Sequence, residues 1–173
     1  MNIGESLTRG TVWIALPCYT VVEAVRLSGP MTRQMRSALR WFWTLGCAAY
    51  IGHVIAAFRF YHGWSHAAAY AETAHQTNAL TGLNWGGGLY FNYAFSAVWM
   101  ADALWWWIGP TSYGARRHGL TSMVRAFFFF MVLNSTIVFG RGAARALGAT
   151  ILLLLVVAWF WSKPRNRRQS NQT

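Results

Sequence analysis

Four of the five histidines of this chain fall within 23 residues, and one of its four acids lies among them. His53, His62, His66 and His75 form this group with Glu72. Neutral imidazole nitrogens are common ligands of zinc, copper and haem iron. His62 and His66 are four residues apart, a spacing that places both on one face of a helix. The pattern predicts a metal site at His62, His66, His75 and Glu72, with His53 as a further haem or metal ligand.

One straight helix does not unite these side chains. At 100° per residue, His53 points away from His62, and His66 points away from His75. A single cluster therefore needs a bend, and Gly63 is the natural position for one. We expect a short helix over 64–78 that lies at the outer membrane interface. The cofactor stays open between haem b, copper or zinc and none, because His53 also suits a hydrogen-bonded core position and the others a solvated face.

Two further acids, Glu23 and Asp102, fall inside apolar stretches, where an unpaired carboxylate is costly. We expect Asp102 to pair with Arg125, and Glu23 to pair with Arg33 or Arg36. Such pairs would fix the order of helices at the inner side of a membrane. The alternative is a proton or ion pathway, since acids within a membrane are functional candidates by default.

The elements that carry these residues follow from composition. The chain has 173 residues, of which 55% are hydrophobic, 17% aromatic and only 11% charged. This balance disfavours an ordinary soluble domain and a disordered chain. Five apolar segments have lengths suited to a membrane-crossing helix, and none alternates like a barrel strand. They are 11–27, 39–60, 85–108, 122–139 and 143–161.

The sequence thus predicts an all-α, polytopic membrane protein with a bundle of about five transmembrane helices. The number becomes four if 11–27 does not span. A basic cytoplasmic tail, 163–173, follows the transmembrane domain 1–162.

The net charge of +11 is better explained by membrane topology than by nucleic-acid binding. In the five-helix arrangement, eleven of the fifteen basic residues fall on one side. They are Arg26, Arg33, Arg36, Arg40, Arg116, Arg117, Arg125, Lys163, Arg165, Arg167 and Arg168. The positive-inside rule makes this side cytoplasmic, with the N-terminus outside and the C-terminus inside. We expect a bacterial inner-membrane location and contact of the basic face with anionic headgroups.

Tryptophan and glycine refine this arrangement. Most of the eleven Trp fall near predicted span ends, as interfacial belts do; Trp43 and Trp106 are placed at the cytoplasmic belt and Trp99 inside. Small residues at Gly52 and its neighbours in the second span, and 86–88 at the start of the third, predict close packing between these two helices.

These observations favour an accessory or structural subunit of a larger membrane assembly, in contact with other membrane subunits or with copies of itself. The chain has no Walker A, GxSxG, CxxC or CxxCH motif, so an enzymatic role is disfavoured. One alternative is a redox or metal-handling protein that uses the outer-face histidines. A second is a small proton-coupled carrier that uses Glu23 and Asp102.

The predicted topology is tested by reporter fusions. A reporter placed after Lys163 should report the cytoplasm, and one inserted within 73–83 should report the opposite compartment, because an odd number of crossings separates them. The same compartment for both fusions would reject the arrangement.

Overall fold

The computed structural model describes residues 3–140 and 142–169, with the side chains of 159–169 excluded, and this part of the chain is all-α. Arg141 and 170–173 lie outside the described residues, and of Trp159, Trp161 and the rest of the predicted basic tail only the backbone is described. The helices are α1 (Ile3–Ser28), α2 (Arg33–Phe60), α3 (His66–Thr81), α4 (Gly88–Ile108), α5 (Pro110–Gly114), α6 (His118–Leu133) and α7 (Ala143–Gln169). A π-helical segment, Asn134–Val138, continues α6.

The helices α1, α2, α4, α6 and α7 overlap the five predicted apolar segments, although α4 begins only at Gly88 and α6 ends at Leu133. Two stretches, Arg33–Phe60 and His118–Val138, are long and apolar enough to cross a membrane, and Ala143–Ala158 is a shorter apolar helix. Length and hydropathy therefore do not confirm the number of five spans. The physical reason lies in composition: α1 carries two acids and two arginines, and α4 is rich in Trp and Tyr, whose rings are only partly apolar.

A sharp turn separates α2 from α3, as the sequence predicts. Gly63 and Trp64 both have left-handed backbone conformations, with φ of 54° and 61°. This conformation is easy for glycine and strained for a bulky residue such as tryptophan. The hydroxyl of Ser65 then caps α3 by accepting from the Ala68 amide at 3.2 Å. A short helix is thus present where the sequence predicts one over 64–78, but it begins at His66 and extends to Thr81.

The core is a cluster of stacked and tilted aromatic rings contributed by four helices. Trp43 and Phe128 are each only 1% exposed, and their ring centroids lie 5.1 Å apart. Trp99 contacts both rings at 5.2 Å, and Tyr19 packs against Trp43 at 6.3 Å. The prediction that Trp43 and Trp106 lie in an interfacial belt is therefore wrong, because both are buried within the bundle.

The glycines do not join the second and third spans in the predicted way. Gly52 faces Thr11 of α1. Gly86 lies against Tyr70 of α3, where a Cβ would meet the Tyr70 carbonyl oxygen. The face of α2 that carries Gly52 thus packs against α1. The glycine before α4, Gly86, allows close packing against the short helix α3.

Of the two glycines of α2, Gly46 is the one that lies against both α1 and α4. A Cβ at this position would lie 3.0 Å from Cys18 Cβ and 3.0 Å from Trp99 Cζ2, and both of these side chains are buried. The backbones of α1 and α2 and the ring of Trp99 are therefore close-packed at this level.

Gly46→Ala and Gly52→Ala form a matched pair on one helix. Gly46→Ala should lower the free energy of unfolding in detergent, by about 1–3 kcal/mol relative to Gly52→Ala, because its methyl group overpacks the core. At Gly52 the new methyl makes only an ordinary contact, 3.6 Å from Thr11 Cγ2. Thermal unfolding of the two variants measures the difference, and equal stabilities would contradict the packing described.

Candidate functional site

In the structure, three of the predicted histidine ligands contact three different residues. The Nδ1 of His53 donates to the carbonyl oxygen of Thr8 in α1 at 2.8 Å. The ring of His62 packs on Phe58 with centroids 5.6 Å apart. The Nδ1 of His66 is hydrogen-bonded to the hydroxyl of Tyr93 in α4 at 3.0 Å.

The other two members of the predicted site also lie apart. His75 is exposed on α3, and the Glu72 carboxylate accepts a 2.8 Å hydrogen bond from Gln76 one turn away. Within the described residues, no three His, Cys, Asp or Glu side chains are grouped closely enough to hold one ion. The predicted convergence of His62, His66, His75 and Glu72 is therefore wrong. The turn at Gly63 lies between His62 and His66, so these two residues do not share one helix face as the spacing predicts.

The two acids inside the bundle form the polar centre of the described chain. Glu23 of α1 accepts from two guanidinium groups. Arg26 reaches its Oε1 at 2.9 Å, and Arg125 of α6 reaches its Oε2 at 2.7 Å. Glu23 is only 6% exposed. The prediction that Glu23 pairs with Arg33 or Arg36 is wrong. Arg26 follows Glu23 by three residues on the same helix face and therefore makes the ion pair within α1.

Asp102 of α4 lies in the same region, with 4% of its side chain exposed. Its Oδ1 accepts from Arg116 at 2.5 Å, and its Oδ2 accepts from the hydroxyl of Tyr113 at 2.8 Å. The predicted Asp102–Arg125 pair is therefore wrong. A turn after α4 and the short helix α5 return Tyr113 and Arg116 to Asp102, while Arg125 is one of the partners of Glu23.

Tyr113 and Arg26 join the two carboxylates into one unit, which we call the ion network (Glu23, Arg26, Asp102, Tyr113, Arg116 and Arg125). The guanidinium of Arg26 donates to the Tyr113 hydroxyl at 2.7 Å. The same guanidinium lies 4.8 Å from the ring centroids of both Trp43 and Trp106. Cation–π contacts of this kind are strongest where water is excluded.

Aromatic stacking holds Tyr113 in place. Its ring lies parallel to Trp106, with centroids 4.8 Å apart and an interplanar angle of 5°. Burial raises the pKa of Tyr113, and the nearby Asp102 carboxylate adds to this effect against the opposing influence of Arg26. The phenol therefore stays protonated and donates to Asp102. With every acid of the network ion-paired, the chemistry that this arrangement supports is the fixing of α1, α4, α5 and α6 to one another.

Comparison of the chain with protein-family models, with curated proteins and with solved structures gives no match in any of the three.

Sequence reasoning identified Glu23, Asp102 and Arg125 as members of a charged centre but missed Arg26, Tyr113 and Arg116. One signal was present for Arg26, since a spacing of three residues from Glu23 permits an ion pair on one helix. Pro110 at the first position of α5 indicated a helix start and hence a folded connection. No local pattern marks Tyr113 as the link between the two carboxylates.

Asp102→Asn should lower the free energy of unfolding in detergent by about 3–5 kcal/mol, because it leaves the buried Arg116 without its counter-charge. The double variant Asp102→Asn with Arg116→Gln should regain part of this loss, with a coupling of about 0.5–3 kcal/mol.

The matched control pairs Asp102→Asn with Arg125→Gln. These residues share no direct contact, so their effects should be closer to additive. A larger coupling of Asp102 to Arg125 than to Arg116 would overturn the assignment of partners.

Proposed function

We propose that this chain is an integral membrane protein that serves as an accessory, structural subunit of a larger membrane assembly. The observation that carries this proposal is the outward direction of its apolar surface. In each of the two stretches apolar enough to cross a membrane, only 22% of the most apolar window is buried inside the molecule. An apolar helix in the core of a soluble protein is mostly buried, whereas a helix in a membrane keeps its apolar side chains against lipid.

The proposal includes five crossings, by α1, α2, α4, α6 with its π-helical segment, and α7. Contacts at the two ends support this alternation. At one end, His53 near the end of α2 reaches Thr8 near the start of α1. At the other, Glu23 near the end of α1 meets Arg125 near the start of α6. The ion network then lies at the cytoplasmic side of an inner membrane, with the C-terminus in the cytoplasm.

An accessory role is favoured over a carrier because both acids inside the bundle are buried and ion-paired. A proton-coupled carrier needs a carboxylate that gains and loses a proton along a water-filled path. Glu23 and Asp102 are both nearly inaccessible, and each is ion-paired with a guanidinium group instead of lining a water-filled path. Large exposed side chains such as Trp41, Phe130 and Leu153 provide apolar surface for lipid and for neighbouring subunits.

The test uses the full chain in its native membrane. It should resist extraction by alkaline carbonate. After solubilisation in a mild detergent, it should migrate in a particle larger than the same chain purified alone, whose mass is 19.5 kDa. Release by carbonate would reject the membrane location. Equal particle masses for the native and the purified protein would reject the accessory role.

A further inference from the structure

A groove of about 340 Å³ runs between α1, α6 and α7, beside the ion network. Its walls are almost wholly apolar. α1 contributes Tyr19, α6 contributes Phe129, and α7 contributes Leu152 and Val156. This volume lies at the lower end of the range found for small-molecule sites.

The groove opens sideways from the bundle. Phe129 and Val156 line it and are still 40% and 41% exposed. A much smaller cavity of about 10 Å³, lined by Val132 and Gly148 among others, continues the seam between α6 and α7. The groove of about 340 Å³, and not this small cavity, has room for part of an acyl chain, which can enter from the open side of the groove.

One end of the groove carries positive charge. The Glu23 carboxylate lines the groove but faces two guanidinium groups, those of Arg26 and Arg125, while Asp102 is balanced by Arg116. One positive charge is therefore left over at the Glu23 side of the network. Arg125 is the network cation that is most open to the outside, with 30% of its side chain exposed.

The guanidinium of Arg125 also has free donors. Its Nε donates to Glu23, and its two Nη nitrogens have no hydrogen-bond partner in the described part of the chain. A planar fork of N–H donors at the mouth of an apolar groove matches a phosphate group attached to an acyl chain.

We propose that this groove binds one anionic phospholipid of the cytoplasmic leaflet, with its phosphate at Arg125 and an acyl chain against Phe129 and Leu152. This site rests on the proposed membrane location. The unbalanced charge selects an anionic lipid, because a zwitterionic headgroup brings its own cation to an already positive site. The apolar walls select an acyl chain over a free phosphate ion.

The experiment uses the full chain, purified in detergent and stripped of lipid. It is titrated with phosphatidylglycerol and with phosphatidylcholine of the same acyl chains, and the bound lipid is counted by native mass spectrometry. The wild type should prefer phosphatidylglycerol by about tenfold, because phosphatidylcholine makes the same phosphate contact but adds a choline cation beside the unbalanced positive charge. Arg125→Gln should abolish this preference. Arg117→Gln removes the same charge from an exposed position at the same end of the molecule and should retain it.

A second pair of variants tests the acyl-chain part and leaves the ion network intact. Leu152→Trp fills the groove and should weaken binding of both lipids, whereas Leu153→Trp, on the exposed face of α7, should not. Inorganic phosphate should not compete with the lipid. An unchanged preference in Arg125→Gln, equal effects of the two tryptophan variants, or competition by phosphate alone would each overturn the site.

These results are separable from the membrane proposal. A chain that resists carbonate extraction but shows no lipid preference rejects the lipid site alone. A chain that carbonate releases rejects the membrane location itself.

Discussion

Two carboxylates and three guanidinium groups lie together at one end of the helix bundle, where little water reaches them. Displacing any helix that contributes to this ion network would leave a buried charge without its partner. Removing an ion from water costs several kcal/mol even after the protein relaxes. The pairs Glu23–Arg125 and Asp102–Arg116 offset this penalty only when α1, α4 and α6 are all in place. We therefore infer that the network specifies which helices are neighbours more than it adds net stability.

The aromatic core is continuous with this network through Trp43. On one side its ring packs on Phe128 and Trp99, and on the other it faces the guanidinium of Arg26. The indole nitrogens of Trp43 and Trp99 are buried and have no hydrogen-bond partner among the described residues. Their positions thus reflect ring packing and the cation–π contact, which outweigh the unsatisfied N–H groups.

The helices and the turn at Gly63 could be predicted from the sequence because they depend on local signals: apolar length, a glycine and a capping serine. The need of Glu23 and Asp102 for basic partners could also be predicted, since it follows from burial alone. The identity of the partners could not, because Arg125 reaches Glu23 only through the way α6 packs against α1. The histidine prediction was wrong for a related reason. Spacing along the chain says which side chains are near one another in a helix, but not which neighbouring helix each side chain faces.

The network also has a consequence for the order in which the protein is made. Glu23 and Arg125 are 102 residues apart in the chain, and Arg26 and Tyr113 are 87 apart. At a synthesis rate of about 5–20 residues per second, the ribosome adds Arg125 on the order of 5–20 s after Glu23. During this interval Glu23 has only Arg26 as a counter-ion. The first and second helices are therefore synthesised well before the sixth helix supplies the residue that completes the ion network.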